Sequence, residues 1–417
     1  MDFEYHYTSE QDAFRNEVSA WLDENIPDER RPYFTLDNSH VDKDAYEWSS
    51  ELRQKMGEKG WLFPTWPVEY GGGGLSAEHD VVIQEEVGKR RLPGFAPGEL
   101  MPAAVMVWGT DEQKEKLLKP VLKGQTELFQ LFTEPGAGSD LASLKTRAVK
   151  DGDDWVITGE KVFVGDHRGY RNNPPADLEI KDQVDEMFTL AITDPDAPRH
   201  RNMGYFIVPG DAPGVTFQQL DLLADWGKLQ IYLDNVRVPN ERLIGGEGQG
   251  WQVAQTSLEL EHGGGGQVVP REHATERFIE LAKETGKIRD PHDQQALMDA
   301  FIDTEIGRLI GLRNYWMYES KQEMSYEGSQ NSLWRKESML RIADNMRDVL
   351  GLETLIDVDD PKVRYWGELE NYQRESLVRA HPGGTIEVQK VIVARRLGVS
   401  RTKERAAVTP ATSGKQS

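Results

Sequence analysis

The stretch Leu131–Asp140 reads LFTEPGAGSD, and the fold that we predict for the whole chain starts from it. It begins as a short apolar run of strand character and ends in a turn. Gly136 and Gly138 have no Cβ, so another group can lie close to the backbone there. Thr133 and Ser139 add hydroxyl groups that can donate or accept hydrogen bonds. Such a turn suits an anionic or carbonyl-rich ligand, although an ordinary strand followed by a tight loop has a similar composition.

The composition limits the functions that the chain can serve. Its 417 residues are enough for two or three packed units, and 38% of them are hydrophobic, as in a globular protein. The formal net charge of −22 would repel nucleic acid and anionic membranes, so neither is expected as a partner. A coenzyme A ligand, itself an anion, would need a local patch of basic or N–H groups. The chain has no cysteine, which excludes thiolate chemistry, and its nine histidines lack metal-ligand spacing, so no metal is expected.

The N-terminal sequence and the lengths of the apolar runs indicate a cellular location. The N-terminus, MDFEYH, lacks the basic segment and the apolar run of a signal peptide. No window approaches the ~18 consecutive apolar residues that a membrane-spanning helix needs. We therefore predict a cytoplasmic protein without a membrane span.

The spacing of apolar residues divides the chain into three predicted domains and a tail. Residues 1–125 have helical spacing. Residues 126–242 change to short β-branched and aromatic runs, which predict an antiparallel β domain in the form of a small barrel or sandwich. Residues 243–400 return to the helical spacing of a bundle, and the short polar residues 401–417 predict a disordered tail.

Local signals place several elements inside these domains. Thr8 opens a capping box, Ser76 is placed to cap a helix, and Gly124 is placed to end one. A further helix is expected over roughly 43–60, and the polar residues 166–186 predict a long surface loop. The helices of the C-terminal domain are predicted near 251–262, 268–285, 293–326, 332–350 and 384–398.

The ten residues Leu131–Asp140 resemble the first signature of the acyl-CoA dehydrogenase family, T/S-E-P-x-A-G-S-D. The order of helices, β domain and helical bundle is similar to that family from about residue 8 to residue 400. The resemblance implies an α+β chain with the acyl-CoA dehydrogenase fold: a helical N-terminal domain, a central antiparallel β domain and a C-terminal four-helix-type bundle. It also implies an enzyme that desaturates an acyl-CoA thioester with FAD and passes the electrons to an electron-transfer flavoprotein.

The chemistry itself requires a cofactor. Desaturation beside a thioester carbonyl needs a base for the α proton, an acceptor for a hydride from the β carbon, and hydrogen-bond donors for the carbonyl oxygen. No side chain accepts a hydride, so a flavin or a nicotinamide has to do so. Gly245–Gly250, GGEGQG, does not have the G-x-G-x-x-G register of a dinucleotide-binding Rossmann turn. The resemblance instead implies FAD that is held without a Rossmann domain.

Three segments are expected to hold the FAD. The first is residues 130–139, which in the family run under the flavin and reach toward the CoA ester. Ser139 is also expected to contact the substrate. The contacts to the flavin ring and phosphates that the resemblance implies are at Gln130, Phe132, Thr133, Gly138 and Ser139.

The second segment is Gly159–Gly165, GEKVFVG, which resembles the family's G-x-K-x-W-I-T/S strand. The resemblance implies flavin contacts at Phe163, Val164 and Gly165. Phe163 replaces the usual Trp, and Gly165 replaces the hydroxyl residue that usually bonds the N5 edge of the flavin. Only a backbone contact therefore remains at position 165.

The third segment is Gly383–Gln389, GGTIEVQ, which resembles the G-T-x-E-I-Q signature at the start of the family's last long helix. A helix N-terminus with Gly and Thr suits a pyrophosphate or an adenosine, and an ordinary Thr-capped helix is the alternative. The family's arginine and Phe-Gly motif is not recognisable in the stretch 284–289, which indicates a divergent branch. The implied FAD contacts are Gly384, Thr385, Glu387 and Gln389.

The predicted catalytic base is Glu261. One branch of the family carries its base in an L-E-R context after a G-x-G-W entry, and this chain reads GQGW at 248–251 and LELEH at 258–262. A carboxylate beside a thioester suits removal of the α proton. Glu259 lies two residues earlier and should face away on a helix.

The residues after Glu261 concern the substrate. His262 stands where the family usually has Arg, and His262 and Gly263 are expected to contact the acyl-CoA. Four consecutive glycines occupy Gly263–Gly266, and each costs a helix interior ~1 kcal/mol relative to Ala. We expect an unusually roomy acyl pocket there; a simple break of the helix is the alternative.

Two other functions and several assemblies stay open. A flavin oxidase or monooxygenase on the same fold would react with O2, and a non-catalytic partner subunit would complete a heteromeric acyl-CoA dehydrogenase. Glu261 argues against the partner subunit. The long apolar helix predicted over 293–326 and the family resemblance favour a homo-oligomer, either dimer or tetramer, with a heteromer as the other outcome.

Overall fold

The computed structural model describes most of the chain, and every structural statement below concerns that part. The described residues are 7–26, 43–90, 100–165, 184–220, 222–223, 228–261, 273–357 and 360–399. The predicted tail, all but the last residues of the predicted loop 166–186, and the start of the helix predicted at 268–285 lie outside them. The predicted domain boundaries stay predictions.

The N-terminal region is helical, as predicted. The capping box is confirmed, since Thr8 Oγ1 accepts from Gln11 N–H at 3.2 Å and Gln11 Oε1 accepts from Thr8 N–H at 2.8 Å. Ser76 stands at an N-cap, but its hydroxyl bonds the His79 ring at 2.9 Å rather than a backbone N–H. Gly124 follows the last helix with a left-handed φ of 71°. The helices are α1 Ser9–Asn25, α2 Lys43–Glu58, α3 Ala77–Lys89, α4 Leu100–Trp108 and α5 Asp111–Leu122.

Helix α4 was not predicted, and its burial explains why. Its sequence, LMPAAVMVW, is apolar throughout, and Met101 to Val105 are all buried. A helix that is apolar on every side has no polar face, so the spacing signal of 3.6 residues disappears.

The central region forms one eight-stranded sheet whose main path runs β6-β7-β3-β2-β4-β5-β8, with β1 also pairing with β4. Most neighbours are antiparallel, as predicted. The pairing of β1 with β4 and the single contact between Arg147 and Ile192 are parallel, so the sheet is mixed rather than purely antiparallel. More than fifty residues separate β1 from β4 along the chain, which is long enough for a parallel connection. The strands are β1 Leu128–Leu131, β2 Arg147–Asp151, β3 Asp154–Gly165, β4 Glu186–Ile192, β5 Met203–Pro209, β6 Val215–Gln219, β7 Lys228–Pro239 and β8 Leu243–Ile244.

The C-terminal region is helical, with bounds that differ from those predicted. The helix predicted over 293–326 ends at Glu319, where Lys321 adopts a left-handed φ of 52°. Its successor begins at Glu327, five residues before the predicted start. Helix α10 was missed because its buried face is polar. The helices are α6 Gly250–Glu261, α7 His273–Glu284, α8 Pro291–Glu319, α9 Glu327–Leu350, α10 Glu368–Arg379 and α11 Ile386–Arg396.

Strands β4 and β5 separate two hydrophobic cores. Along β5, Tyr205 and Ile207 belong to a core that also includes the N-terminal helices and α6. The alternate residues Phe206 and Val208 belong to the core of the sheet itself. This alternation follows from the two-residue period of a strand. The strand is therefore buried on both faces, and α6 lies directly against it.

The close contact between α6 and β5 depends on two glycines. A Cβ at Gly250, the first residue of α6, would lie 2.5 Å from the carbonyl carbon of Gly204 on β5. Farther along α6, the indole N–H of Trp108 on α4 donates to Thr256 Oγ1 at 3.0 Å. Helix α6 therefore lies between α4 and the sheet. These contacts fix the direction of the helix axis.

Gly250→Ala is expected to lower the free energy of unfolding by about 1–3 kcal/mol, because the added methyl group would meet strand backbone that cannot move aside. Gly307→Ala in α8 is the matched control. Its Cβ would meet Trp334 at an ordinary 3.4 Å, so helix propensity should raise the free energy of unfolding by up to about 1 kcal/mol. Urea unfolding measures both. Changes of the same sign would contradict this account of how α6 docks.

Candidate active site

The predicted ligand-binding turn follows β1. We call residues 132–140 the glycine turn. Glu134 and Ala137 close it with two backbone hydrogen bonds of 3.0 Å, and the residues between them are exposed. A Cβ added at Gly136 or Gly138 would have no atom of the described chain within 4 Å, and neither residue has a positive φ. Neither packing within the chain nor backbone conformation explains these glycines, whereas close approach of a ligand would.

A buried ion pair anchors the glycine turn. Lys161 on β3 is 0% exposed and Glu134 is 6% exposed, and Lys161 Nζ lies 2.9 Å from Glu134 Oε1. The carboxylate also accepts from Lys145 N–H at 2.6 Å and from the hydroxyl of Thr146 at 2.5 Å. Lys161 donates further to the carbonyl oxygen of Leu190 at 3.1 Å. The pair thus joins the glycine turn, the start of β2, β3 and β4.

The electrostatics of Glu134 agree with an ionised carboxylate. Burial alone would raise its pKa, but the attraction of Lys161 and the hydrogen bonds from Lys161, Thr146 and the Lys145 N–H outweigh burial. The pKa of Glu134 therefore lies below its ordinary value.

The second predicted segment lies directly beside the first. The N–H of Val162 on β3 donates to the carbonyl oxygen of Thr133 at 2.9 Å. The pairing of β3 with β7 is irregular between Lys161 and Val164. Within this irregular stretch Phe163 has a φ of 57° and is 56% exposed. Such strained backbone is often found at binding sites, and it agrees with the prediction that Phe163 contacts a ligand. Val164 points into the core of the sheet, so only its backbone can reach a ligand.

The structure also identifies a residue that sequence reasoning missed. Lys228, at the start of β7, pairs with Gly165 on β3. Its side chain lies over Gly165, in the space that a side chain at position 165 would use. The signal for this contact is the register of two strands more than sixty residues apart, which spacing in the sequence does not reveal.

The third predicted segment lies in the C-terminal region, where α11 packs on α9. Gly383 and Gly384 adopt left-handed φ values of 63° and 76°, and Thr385 Oγ1 caps α11 by accepting from Val388 N–H at 3.2 Å. Gln389 is buried and donates to the Gly383 carbonyl oxygen at 2.7 Å. Its Oε1 has no hydrogen-bond partner within the described part of the chain, so a ligand donor would satisfy it. Glu387 is exposed.

A group of aromatic rings lies between the glycine turn and helix α6. The ring centroid of Phe132 lies 5.6 Å from that of Phe188 and 6.1 Å from that of Tyr205. The Tyr205 hydroxyl lies 3.3 Å from Ser257 Oγ on α6, and Ser257 in turn donates to the Leu100 carbonyl oxygen at 2.8 Å. Because the Ser257 hydroxyl gives its proton to Leu100, the Tyr205 hydroxyl is the donor in their contact. Burial raises the pKa of Tyr205.

Glu261 is the last residue of α6, and its position follows from this contact. It comes four residues after Ser257, which places both positions on one side of an α-helix. Glu259 is exposed, as predicted. His262 and Gly263 lie outside the described residues. The structure therefore brings the first two predicted FAD segments together and packs α6 on β4 and β5, while the third segment has its neighbours in the C-terminal region.

Comparison with known proteins defines the class. Residues 8–125 match the model of the acyl-CoA dehydrogenase N-terminal domain, and residues 248–398 match the model of the acyl-CoA dehydrogenase C-terminal domain. These matches span more than half of the chain and both of its helical regions. The chain belongs to the acyl-CoA dehydrogenase family of FAD-dependent oxidoreductases.

Individual relatives are similar over almost the whole chain. Acyl-CoA dehydrogenase IpdE1 of Mycobacterium tuberculosis is 29% identical over 94% of this chain and 98% of its own length. Acyl-CoA dehydrogenase FadE26 of the same organism is 26% identical, covering 95% of this chain and 98% of its own. Among solved structures, the Tcur3481-Tcur3483 steroid ACAD is 27% identical with a TM-score of 0.78, covering 97% of this chain and 100% of that one. The ChsE4-ChsE5 complex from Mycobacterium tuberculosis is 26% identical with a TM-score of 0.78, over 96% and 100%.

The residues present fit FAD. The open glycine turn and exposed Phe163 would face the flavin, the left-handed turn before Thr385 would present backbone N–H groups to phosphate, and Gln389 offers an unsatisfied acceptor. The open glycine turn and the unpartnered Oε1 of Gln389 have no other explanation within the described chain.

Gly138→Ala is expected to weaken FAD binding about tenfold while leaving the free energy of unfolding of the apoprotein nearly unchanged. The reason is that the new methyl group would touch nothing in the described chain but would stand where a ligand approaches the turn. Quenching of FAD fluorescence measures the first quantity and urea unfolding the second. FAD binding at wild-type strength would show that the ligand does not lie against this turn.

Lys161→Met is expected to lower the free energy of unfolding by about 3–5 kcal/mol, because it leaves the Glu134 carboxylate buried without its cation. The double variant Glu134→Gln/Lys161→Met should recover most of that loss, since no charge stays buried. Lys150→Met, which breaks an exposed pair with Glu247, is the control and should change the value by less than about 1 kcal/mol.

The pH dependence of the same pair has a definite sign. The folded pKa of Glu134 lies below its unfolded value, so its contribution to stability is complete above the unfolded pKa and disappears as the pH falls through the folded pKa. Denaturation of the Lys161→Met variant with the same acid dependence as wild type would contradict the assignment.

Proposed function

We propose that this chain introduces an α,β double bond into an acyl-CoA thioester with bound FAD, and that an electron-transfer flavoprotein takes up the electrons. The observation that carries the proposal is the path from the glycine turn to Glu261. Phe132 beneath the turn contacts Tyr205, Tyr205 bonds Ser257, and Glu261 follows one helical turn later on α6. These contacts connect the glycine turn with the helix that ends in Glu261, and this connection supports Glu261 as the base.

Each group in the site has one task in this proposal. Bound FAD supplies the two-electron acceptor that no side chain provides. Glu261 removes the α proton, and the backbone and hydroxyl groups of Thr133 and Ser139 bind the flavin and the thioester end of the substrate. Phe163 would contact the flavin ring. Gly384 to Gln389 hold the phosphates and the adenosine.

The proposed substrate is bulky and ring-bearing. The relative with a solved structure that is 27% identical is named a steroid ACAD. The four glycines Gly263–Gly266 lie outside the described residues but follow the proposed base in the sequence, and glycine carries no side chain that would restrict a wide acyl group. We therefore propose an acyl-CoA with a fused-ring or similarly wide acyl part.

A panel of acyl-CoAs, mixed anaerobically with the purified protein while flavin absorbance is followed, tests the reaction and its substrate class. Wide, ring-bearing acyl-CoAs should bleach the flavin faster than short linear ones. Reduced protein should then pass its electrons to an electron-transfer flavoprotein faster than to O2. The reverse order with O2 would favour an oxidase, and no bleaching by any acyl-CoA would favour a partner subunit.

Glu261→Gln is expected to slow anaerobic flavin bleaching by at least about a thousandfold, because the amide cannot take the α proton. Glu259→Gln is the matched control, two residues away and exposed, and should bleach at nearly the wild-type rate. FAD binding by both variants, measured first, separates loss of the base from loss of the cofactor. A wild-type bleaching rate in Glu261→Gln would exclude it as the base.

The proposed assembly is an oligomer built on α8. Met298, Ile302, Leu309 and Trp316 are all exposed, and their spacing places them along one side of the helix. An apolar stripe of that length on a helix typically meets another chain. The similar structures Tcur3481-Tcur3483 and ChsE4-ChsE5 are, by their names, assemblies of two proteins. We propose that this stripe is buried in a homo-oligomer or in a heteromer, and that the assembly works in the cytoplasm.

Light scattering at micromolar protein should give a mass of at least twice the 47.3 kDa of one chain. Trp316→Asp should reduce that mass, because a charge would be buried in the interface. Tyr318→Asp is the control, since Tyr318 is exposed on the opposite side of the same helix. A wild-type monomer would contradict the homo-oligomer, and assembly only with a co-expressed second protein would establish the heteromer.

A further inference from the structure

Position 165 is where this chain departs from the family strand that it resembles, because glycine stands in place of a hydroxyl residue. Another side chain fills the space. Lys228 pairs with Gly165 across β7 and β3. Its Nζ stands beside the point where a Cβ at Gly165 would be, and its Cε and Cδ lie 3.0 and 3.2 Å from that point.

Lys228 takes the space of a side chain at position 165, but its hydrogen-bonding chemistry differs from that of a hydroxyl residue. The three atoms nearest to the missing Cβ all belong to Lys228. An ammonium group therefore occupies the volume that the Cβ and hydroxyl of a Ser or Thr would take. A hydroxyl donates one hydrogen bond and accepts others, whereas an ammonium group only donates and carries a full positive charge.

The backbone of Lys228 is held in place beside the candidate flavin site. Its carbonyl oxygen accepts from Leu220 N–H at 2.8 Å, and the next residue, Leu229, is buried in the core of the sheet. On the neighbouring strand Phe163 is exposed, and Val162 bonds Thr133 of the glycine turn. The ammonium group is thus at the same edge of the sheet as the two segments that are expected to contact the flavin ring.

We propose that Lys228 supplies the hydrogen-bond donor at the N5 edge of bound FAD that a side chain at position 165 cannot supply. The inference rests on the proposed placement of the flavin against the glycine turn and β3. A positive charge beside the ring stabilises the form of FAD that carries more negative charge, so it favours reduction of the cofactor. Lys228 therefore sets the reduction potential of the flavin as well as its position.

The test uses FAD-loaded full-length protein and compares four variants by flavin absorbance and by redox equilibrium with a reference dye. Lys228→Met removes the donor and the charge, and Lys228→Gln removes only the charge. Gly165→Thr/Lys228→Ala returns a hydroxyl to position 165 and removes the side chain that would collide with it. Lys150→Met is the matched control, because Lys150 is a half-exposed lysine of the same sheet that pairs with Glu247.

Lys228→Met should shift the dye equilibrium about tenfold toward oxidised flavin, which is about 30 mV for a two-electron couple. Gly165→Thr/Lys228→Ala should restore the wild-type absorbance spectrum, with part of the potential shift remaining because the charge is absent. Lys150→Met should match wild type. An unchanged spectrum and dye equilibrium in Lys228→Met would overturn the proposal.

Two further outcomes are also decisive. If Lys228→Met does not fold, Lys228→Gln decides in its place: a shifted dye equilibrium supports the proposal, and an unshifted one overturns it. If Lys228→Met loses FAD and Gly165→Thr/Lys228→Ala binds it again, the result would support the proposal. None of these measurements uses acyl-CoA, so failure of the protein to oxidise acyl-CoA would count against the proposed function alone.

Discussion

The buried ion pair between Lys161 and Glu134 is the interaction on which the candidate site depends. It connects the glycine turn with β2, β3 and β4, and it leaves neither charge exposed to water. A buried pair of this kind contributes little net stability relative to a well-packed apolar pair, because both ions lose their hydration. What it provides is one arrangement of the turn, since any other would leave a charge without its partner. The open side of the turn can therefore stay free of side chains and still be rigid.

Helix α6 connects the glycine turn with the proposed base, Glu261. Gly250 and Gly204 let the helix touch the strand, and the hydrogen bonds of Ser257 fix its rotation about its own axis. The aromatic rings of Phe132 and Tyr205 lie between the turn and the helix. Because interiors are close-packed, a shift of the turn would be felt at α6 through these rings. The glycine turn and helix α6 thus belong to one packed unit, although more than a hundred residues separate them along the chain.

The sequence predicted the features that depend on neighbours along the chain. The capping box at Thr8, the glycine after α5 and the turn at 136–138 are local patterns, and the structure has all three. Helix α4 and helix α10 escaped prediction for opposite reasons: one is apolar on every side, and the other buries Glu368, Asn371 and Glu375 on a polar face. Both lack the alternation of apolar and polar faces from which a helix is recognised. The parallel pairing of β1 depends on tertiary packing, which no short stretch encodes.

The contact between Lys228 and Gly165 could not be predicted from the sequence. Its proximity to Gly165 is fixed by strand register, and register is a property of two distant segments. The overall charge of −22 made a local cationic group a condition for binding anionic cofactors and substrates. Lys228 over position 165 is the lysine that fits this condition, because the charge of Lys161 is already balanced by Glu134. At moderate salt, exposed charges that are farther apart than roughly 8–10 Å are largely screened from each other. The positive charge of Lys228 therefore acts on an anion at short range, while the acidic surface acts at longer range and is weakened by salt.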